Sequence, residues 1–239
     1  MADPEPRPVR RLYGSIPHLP GSRAASDRTL SPALARRLLE RTAARAGDEV
    51  IVQEKLDGSC VAIVRGEHGR LEARGREGRL AAESRNEGRR MFAAWLTEHE
   101  GRLDGLLADG EVLVGEWLAL VHGTRYELAH DLFVPFDLVR GPERVRAPLD
   151  ELAARLAGVA LPSPAVVHRG PPIAIDAACT LLGEHGKHGA VDPAEGLVYR
   201  VERAGVVVLI AKWVRPGKVD GSYLPENSGR EALYHRGPR

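Results

Sequence analysis

The chain has little cysteine, few aromatic residues and no long apolar run. Only two of its 239 residues are cysteines, Cys60 and Cys179, and aromatic residues make up 5%. Two cysteines cannot form a disulfide framework in a chain of this size, so we expect both to be small core residues in a reducing compartment. No segment has the length of a membrane-spanning helix, and the first residues lack the apolar stretch of a signal peptide. These absences predict a soluble, cytoplasmic protein with no membrane partner.

The chain also lacks an excess of charge of either sign. Lysine and arginine total 34, aspartate and glutamate total 33, and the formal net charge is +1. This balance excludes a generic polycation, so any nucleic-acid surface must be a local patch. Hydrophobic residues at 43% and charged residues at 28% are ordinary for a globular protein, and a chain of this length can bury a substantial core.

Several common catalytic and metal-binding signatures are missing. The absence of GxxxxGK[ST] excludes a P-loop kinase, and the absence of GxSxG argues against a serine hydrolase. Among nine histidines, His185 and His188 flank a Gly-Lys pair, but no cysteine or carboxylate completes a zinc-ligand pattern. We therefore expect no structural zinc.

The apolar pattern predicts one domain over residues 1–239 in which strands outnumber helices. Prolines 4, 6, 8, 17 and 20 predict an extended start, and Ser31-Pro32 predicts a helix that ends by Gly47. Short turns between neighbouring strands favour antiparallel sheets in an α+β fold. Further helices are predicted at about 83–101, 148–157 and 175–185, and strands at about 49–54, 60–66, 70–74, 112–120, 132–139, 196–202 and 206–213.

The most informative run is Glu-Lys-Leu-Asp-Gly at 54–58, which closes a β-rich segment. Lys55 is a candidate nucleophile, but an amine attacks only when it is neutral, so we expect burial near other cations or a metal to lower its pKa. Asp57 could orient the amine or hold a water of a metal shell, and Gly58 would let the backbone pass close to a nucleotide. From this motif alone, an exposed lysine beside an Asp-Gly hairpin turn remains the alternative.

Two glutamates stand at strands downstream. Glu116 interrupts a hydrophobic strand, where a buried carboxylate needs a partner such as a ribose hydroxyl. Glu195 begins another strand, where it could bind a divalent cation that neutralises phosphate or could act on Lys55. A solvent-exposed edge glutamate and a strand-initiating turn are the respective alternatives.

Cations and an aromatic residue complete the candidate site. Lys212 follows six apolar residues, which suits a phosphate ligand as well as a strand emerging into water, and the next loop carries Arg215 and Lys218, which could reach the same anion. Arg74 and Arg76 share a face if their segment is extended, where they could clamp phosphate or a nucleic-acid 5′ end, or form a solvated hairpin.

Phe136 precedes Asp137 and could stack on a nucleobase or belong to the core. Phe133 is the other aromatic candidate for base stacking, and the position of Phe136 beside the aspartate favours Phe136.

In order, these segments resemble the motif set of the covalent nucleotidyltransferases, the superfamily of DNA ligases, RNA ligases and mRNA capping enzymes. The resemblance covers about residues 50–220, and 74–76 lies where the family keeps a phosphate-contacting arginine. Val214 departs from the pattern, because the fifth motif often has a second lysine there. The matching segments are Lys55–Gly58 for the nucleophile motif, Gly115-Glu116 for the third, Phe133–Asp137 for the aromatic-Asp motif, Glu195–Val198 for the fourth and Lys212–Val214 for the fifth.

The resemblance implies an α+β adenylyltransferase (ATP-grasp-like ligase) domain of antiparallel sheets flanked by helices. It further implies an N-terminal extension of about 1–30 and a catalytic core of about 50–220. We expect no appended OB-fold, since only 27 residues follow Lys212 (239 minus 212). Tyr13–Arg23 is similar to the N-terminal segment of bacterial stand-alone RNA ligases, which favours the RNA ligase branch.

The resemblance also implies a reaction and its site residues. Lys55 would attack the α-phosphate of ATP and form lysyl-AMP, AMP would pass to an RNA 5′-phosphate, and a 3′-hydroxyl would displace it. Glu116 would hold the ribose, and Glu195 would hold Mg²⁺ or Mn²⁺. The other implied nucleotide contacts are Glu54, Lys55, Arg74, Arg76, Phe136, Glu195 and Lys212, with Lys55, Asp57, Glu195 and Lys212 counted as catalytic.

Three alternatives remain open at this point. The chain could be a minimal DNA ligase, a guanylyltransferase, or a non-catalytic nucleic-acid-binding module of the same fold. A helper protein that heals RNA ends is conceivable as a partner, because the near-neutral charge predicts modest RNA affinity.

Overall fold

Two antiparallel sheets form the framework of the protein. A computed structural model describes residues 11–23, 29–66 and 68–237. Every strand pair is antiparallel. The strands are β1 (Glu49–Lys55), β2 (Ser59–Arg65), β3 (Leu71–Gly75), β4 (Glu111–Trp117), β5 (Phe133–Arg140), β6 (Val145–Arg146), β7 (Val166–Gly170), β8 (Gly196–Arg203) and β9 (Val206–Val214). The first sheet has the order β7-β1-β8-β9, and the second has the order β3-β2-β4-β5-β6.

Helices flank both sheets, so the predicted α+β class with antiparallel sheets is confirmed. They are α1 (Pro32–Leu39), α2 (Glu87–Leu103), α3 (Leu149–Gly158), α4 (Ile175–Leu182) and α5 (Pro225–Ser228). No described helix combines the length and the apolar character needed to cross a bilayer. The predicted extended conformation at prolines 4, 6 and 8 lies outside the described residues, and the predicted single domain stays a prediction.

Capping residues explain where the predicted helix bounds were wrong. The first helix ends at Leu39 rather than near Gly47, because Glu40 is extended at φ −123° and ψ 122°. The second begins at Glu87 rather than at 83, because the Asn86 side chain accepts the hydrogen bond that caps the helix. Strands β6 and β7 were not predicted; both are edge strands with little buried surface, so their apolar pattern is weak.

The helices cover the outer faces of the two sheets and leave the inner faces to meet at a cavity. Helices α2 and α3 pack on the second sheet around an aromatic cluster in which the rings of Phe92 and Phe133 are 5.0 Å apart. Helices α1 and α4 pack on the first sheet around Leu38 and Tyr199. Because strand side chains alternate, residues next to these core positions, such as Arg200 on β8, point to the inner side.

Candidate active site

A cavity of about 760 Å³, including its open mouth, lies between the sheets. Six predicted site residues line it: Glu54, Lys55, Arg76, Glu116, Phe136 and Lys212. The remaining lining residues are Tyr13, Gly14, Ser15, Ile16, Gln53, Leu56, Cys60, Asp137, Pro164, Val198, Arg200 and Ile210.

Lys55 lies at the end of β1 and is hydrogen-bonded to a carboxylate. Its Nζ donates to Oε2 of Glu195 at 2.7 Å and to the carbonyl of Leu56 at 3.3 Å. Burial by itself would lower the pKa of Lys55, but the charges of Glu195 and then Glu116 outweigh burial and raise it. The predicted lowering of this pKa is therefore wrong for the nucleotide-free protein, because carboxylates surround the amine where cations were expected.

Burial disfavours the charged forms of the two carboxylates near Lys55, those of Glu116 and Glu195. Burial raises the pKa of Glu116 to about 8, although Lys55 opposes the shift, and Oε1 of Glu116 accepts a hydrogen bond from the Gly58 backbone at 2.9 Å. Burial also raises the pKa of Glu195 against the opposing effect of Lys55. Both groups therefore hold a proton more readily than an ordinary glutamate.

One buried carboxylate beside Lys55, that of Glu195, fits a Mg²⁺ or Mn²⁺ ion that also binds substrate phosphates. Across the described residues, no group of three or more His, Cys, Asp and Glu side chains is assembled for a metal. Mg²⁺ usually takes one or two protein carboxylates and completes its shell with water and phosphate oxygens. Buried Glu195 offers such a carboxylate, and a cation beside it would relieve the cost of its burial.

Asp57 and Lys218 pair with each other away from the cavity. Lys218, whose side chain is fully buried, donates from Nζ to Oδ2 of Asp57 and to the hydroxyl of Thr124. Oδ2 of Asp57 also accepts from the Gly123 backbone at 2.9 Å, and the Asp57 backbone donates to the Tyr126 hydroxyl at 3.0 Å. The prediction that Lys218 reaches the anion is thus wrong, and Asp57 anchors loops instead of contacting the cavity.

Lys212 presents an unpaired ammonium to the cavity. Its Nζ has no hydrogen bond or ion pair with any residue that the structure describes. Burial and the nearby charge of Lys55 lower the pKa of Lys212. Arg215, the other predicted anion ligand of this loop, donates from Nε to the Ala194 carbonyl at 3.0 Å. Lys212 is therefore the cation of this segment that can receive a phosphate.

The structure separates Arg74 from Arg76, which were predicted to share a face. Arg76 lines the cavity, donating from Nε to the Tyr13 carbonyl at 3.3 Å and from Nη2 to the Ser15 hydroxyl at 2.5 Å. Arg74 lines a different depression and pairs with Glu72. The extended strand β3 ends at Gly75, so the alternation that the prediction assumed does not continue to Arg76.

Of the two candidate aromatic residues, Phe136 lines the cavity and Phe133 does not. Phe133 is fully buried in the aromatic cluster of the second sheet. Phe136 is partly exposed and meets the ring of Tyr13 edge-on, with centroids 5.5 Å apart.

Glu54 is buried at the cavity wall with one oxygen bonded and one without a partner. Its Oε2 accepts a hydrogen bond from the Lys187 backbone at 2.7 Å, and Oε1 has none among the described residues. Burial raises the pKa of Glu54 to about 7. Gly186 has a φ of +63° and a Cβ there would collide with Oε1 of Glu54, so this position favours glycine.

Residue-by-residue interpretation of the sequence missed two parts of the site. The segment from Tyr13 to Ile16 closes one side of the cavity, and the Tyr13 hydroxyl donates to Asp137 at 2.5 Å. Arg200 lies buried on β8, lines the cavity and forms an ion pair with Asp137. The available signal for Arg200 was a charge in the middle of an apolar strand; for Tyr13 to Ile16 there was only the family resemblance.

Comparisons with known proteins identify solved structures that have a similar fold. An archaeal ATP-dependent RNA ligase matches with a TM-score of 0.51 and 19% identity, over 85% of this chain and 48% of that one. Naegleria gruberi RNA ligase with PPi matches with a TM-score of 0.54 and 18% identity, over 95% and 64%. A point mutant of the Naegleria gruberi enzyme with ATP and Mn matches with a TM-score of 0.53 and 14% identity, over 76% and 54%.

At these identities the structural matches show a shared fold, and the chain spans about half to just under two thirds of those proteins. No curated protein sequence matches this chain. The RNA ligase family model matches residues 48–214, which is well over half of the chain and includes the cavity residues Lys55, Glu116 and Lys212. The chain therefore belongs to the RNA ligase family.

Proposed function

We propose that this protein is an ATP-dependent RNA ligase that carries AMP on Lys55. The observation that supports this most directly is the position of Lys55, whose amine is at a cavity wall 2.7 Å from a buried carboxylate of Glu195. A second lysine, Lys212, lines the same cavity, and its ammonium has no polar partner among the described residues. A binding module would need the second cation for a phosphate, but it would not need a lysine held against a proton acceptor.

In the first step, Nζ of Lys55 attacks the α-phosphorus of ATP. A nitrogen–phosphorus bond forms, the bond from that phosphorus to the bridging oxygen of pyrophosphate breaks, and pyrophosphate leaves. The amine must lose a proton to attack, and Glu195 is already hydrogen-bonded to it and has a raised pKa. Glu195 is therefore placed to take that proton.

The other cavity residues position the nucleotide. Lys212 and Arg76 are the cations that would balance the phosphates, and Phe136 would stack on the base. Glu116 would accept hydrogen bonds from the ribose. A divalent cation, when bound, would neutralise phosphate charge, and Glu195 would be its protein carboxylate ligand.

The next two steps join RNA ends. The 5′-phosphate of an RNA attacks the phosphorus of lysyl-AMP and releases the lysine amine. A 3′-hydroxyl then attacks the 5′-phosphate phosphorus, so that a phosphodiester forms and AMP leaves. A cytoplasmic location and an end-healing helper protein stay predictions from the sequence.

The test is intact-mass measurement after incubation with ATP and Mg²⁺ or Mn²⁺. We expect a gain of one adenylyl group, lost in Lys55→Ala and retained in the control Lys187→Ala, whose exposed side chain does not line the cavity. Adding a 5′-phosphorylated RNA should remove the adduct and yield adenylylated or joined RNA.

Other outcomes assign the alternatives. An adduct from GTP alone would indicate a guanylyltransferase, and transfer to DNA alone would indicate a DNA ligase. No adduct with either metal, from protein shown to be free of AMP at the start, would leave the nucleic-acid-binding module.

A further inference from the structure

An open depression lies beside the cavity, on the other side of the turn that follows β3. Arg74 lines the depression, whereas Arg76, two residues later, lines the cavity. The two concave surfaces are therefore neighbours across one short turn. A nucleic-acid strand whose end enters the cavity can continue into the depression.

The lining of this depression carries an excess of positive charge. Of its charged lining residues in the described chain, four are arginines and one is acidic: Arg74, Arg79, Arg85, Arg89 and Glu83. With a net charge of only +1 for the whole chain, such an excess is local. A local excess of this kind is the feature that attracts a polyanion to one face of a near-neutral protein.

Two of the four arginines are free to bind a ligand. Arg74 and Arg89 already pair with glutamates outside the lining, at 2.5 and 3.3 Å. Arg79 and Arg85 are exposed, and their guanidinium groups have no hydrogen bond or ion pair within the described part of the chain. Arg79 and Arg85 thus keep all their donors available.

The backbone under both free arginines is held in place. The Arg79 carbonyl accepts a hydrogen bond from the Gly75 backbone at 2.9 Å, which ties it to the end of β3. The Arg85 carbonyl accepts one from the Arg90 guanidinium at 3.0 Å, which ties it to the first turn of α2. A preformed cationic surface binds a ligand with less loss of conformational entropy than a mobile loop does.

We propose that this depression binds the phosphodiester backbone of the RNA strand whose 5′-phosphate receives AMP, with Arg79 and Arg85 as its phosphate contacts. Guanidinium groups match phosphate oxygens in geometry, and the backbone supplies most of the affinity in nucleic-acid binding. The proposal rests on the proposed ligase function.

The experiment compares Arg79→Ala/Arg85→Ala with the control Arg41→Ala/Arg45→Ala. The control also removes two exposed arginines that form no ion pair within the described ranges, but from a segment after α1 that lines neither concave surface. Two rates are measured for each protein: lysyl-AMP formation from ATP, and transfer of AMP to a 5′-phosphorylated oligoribonucleotide over a range of salt concentrations.

We expect lysyl-AMP formation to be unchanged in both variants. In Arg79→Ala/Arg85→Ala, the RNA concentration for half-maximal transfer should rise about tenfold or more, and the slope of log affinity against log salt should fall by about 1.4, or about 0.7 per lost contact. The control should behave like the wild type. If the double variant does not fold, Arg79→Gln and Arg85→Gln are tested singly, each with about half the change in slope.

Unchanged RNA dependence and salt slope in a variant that still forms lysyl-AMP would overturn this inference and leave the proposed function standing. An equal change in the control would also overturn it, since the effect would then come from total charge. Absence of lysyl-AMP in the wild type would instead overturn the proposed function.

Discussion

At the scale of single residues, the buried carboxylate of Glu54 makes stability depend on pH. Its pKa is about 7 in the folded protein and 4.5 ordinarily, so the folded state binds more protons between these values. Stability should therefore decrease as pH rises from about 4.5 to 7, by roughly 3 kcal/mol or less for this group. Glu54→Gln should remove that loss. In urea denaturation, the free energy of unfolding of the variant minus that of the wild type should therefore increase from pH 5 to pH 8.

The matched control is Glu98→Gln, which changes an exposed glutamate of α2. Its free energy of unfolding should change with pH in the same way as that of the wild type. If the free energy of unfolding of Glu54→Gln also followed the pH dependence of the wild type, Glu54 would have an ordinary pKa in the folded protein, and its unpartnered oxygen would be solvated.

At the scale of elements, the N-terminal segment 11–23 is docked on both sheets. Leu19 donates from its backbone to the Lys212 carbonyl at 2.8 Å, and the Tyr13 hydroxyl donates to buried Asp137. Tyr13→Phe removes one hydrogen bond to a charged group, so it should lower the free energy of unfolding by about 1.5–3 kcal/mol. It should also weaken ATP binding, because this segment lines the cavity. Chemical denaturation and ATP titration measure the two effects.

Tyr234→Phe is the control, since that hydroxyl bonds to Glu87 at the protein surface. Its loss should cost about 0.5 kcal/mol or less and leave ATP binding unchanged. Equal effects of the two variants would show that the docking of the N-terminal segment does not depend on Tyr13.

At the scale of the whole molecule, one buried ion pair joins the two sheets at the wall of the cavity. Arg200 on β8 of the first sheet pairs with Asp137 on β5 of the second, and both side chains are almost fully buried. Arg200→Met leaves the Asp137 carboxylate with one partner fewer, so it should destabilise the protein by about 3–5 kcal/mol. The measurement is the midpoint of chemical denaturation.

Arg169→Met is the comparison at the surface, where Arg169 pairs with Glu49 and Asp150 at distances of 3.0 and 2.6 Å. Exposed pairs contribute about 1 kcal/mol or less, so this variant should lose little stability. A small effect of Arg200→Met, similar to that of Arg169→Met, would mean that the sheets are joined by apolar packing alone.

Local sequence pattern was sufficient to identify charged residues that interrupt or close apolar strands. Lys55, Glu116 and Lys212 each break or close an apolar strand, and all three line one cavity. The same pattern predicted the α+β class, because alternating and apolar runs give strands wherever they occur. It failed for the bounds of α1 and α2, which depend on single capping residues, and for the edge strands, which bury too little to show a period.

Local sequence pattern did not predict the partners of the other charged candidate residues. Asp57 and Lys218 are 161 residues apart, and their pairing exists because the chain returns to the nucleophile motif after β9. Likewise, the raised pKa of Lys55 depends on Glu195, which is 140 residues away. The Lys55–Glu195 contact follows from the pairing of β1 with β8, in which Lys55 lies opposite Gly196, and no spacing in the sequence encodes it.

The sequence by itself determined the family of the protein, its strand-rich character and the ordered set of cations and carboxylates at strand ends. These follow from short-range rules, since a charge after an apolar run must emerge where the strand does. Only the tertiary structure decided that Arg76 faces the cavity while Arg74 faces the depression, and that Asp57 holds Lys218. For Asp57 and Arg76 the reason is that a polar side chain takes the partner that satisfies it at the lowest desolvation cost, and segments distant in the chain supply those partners.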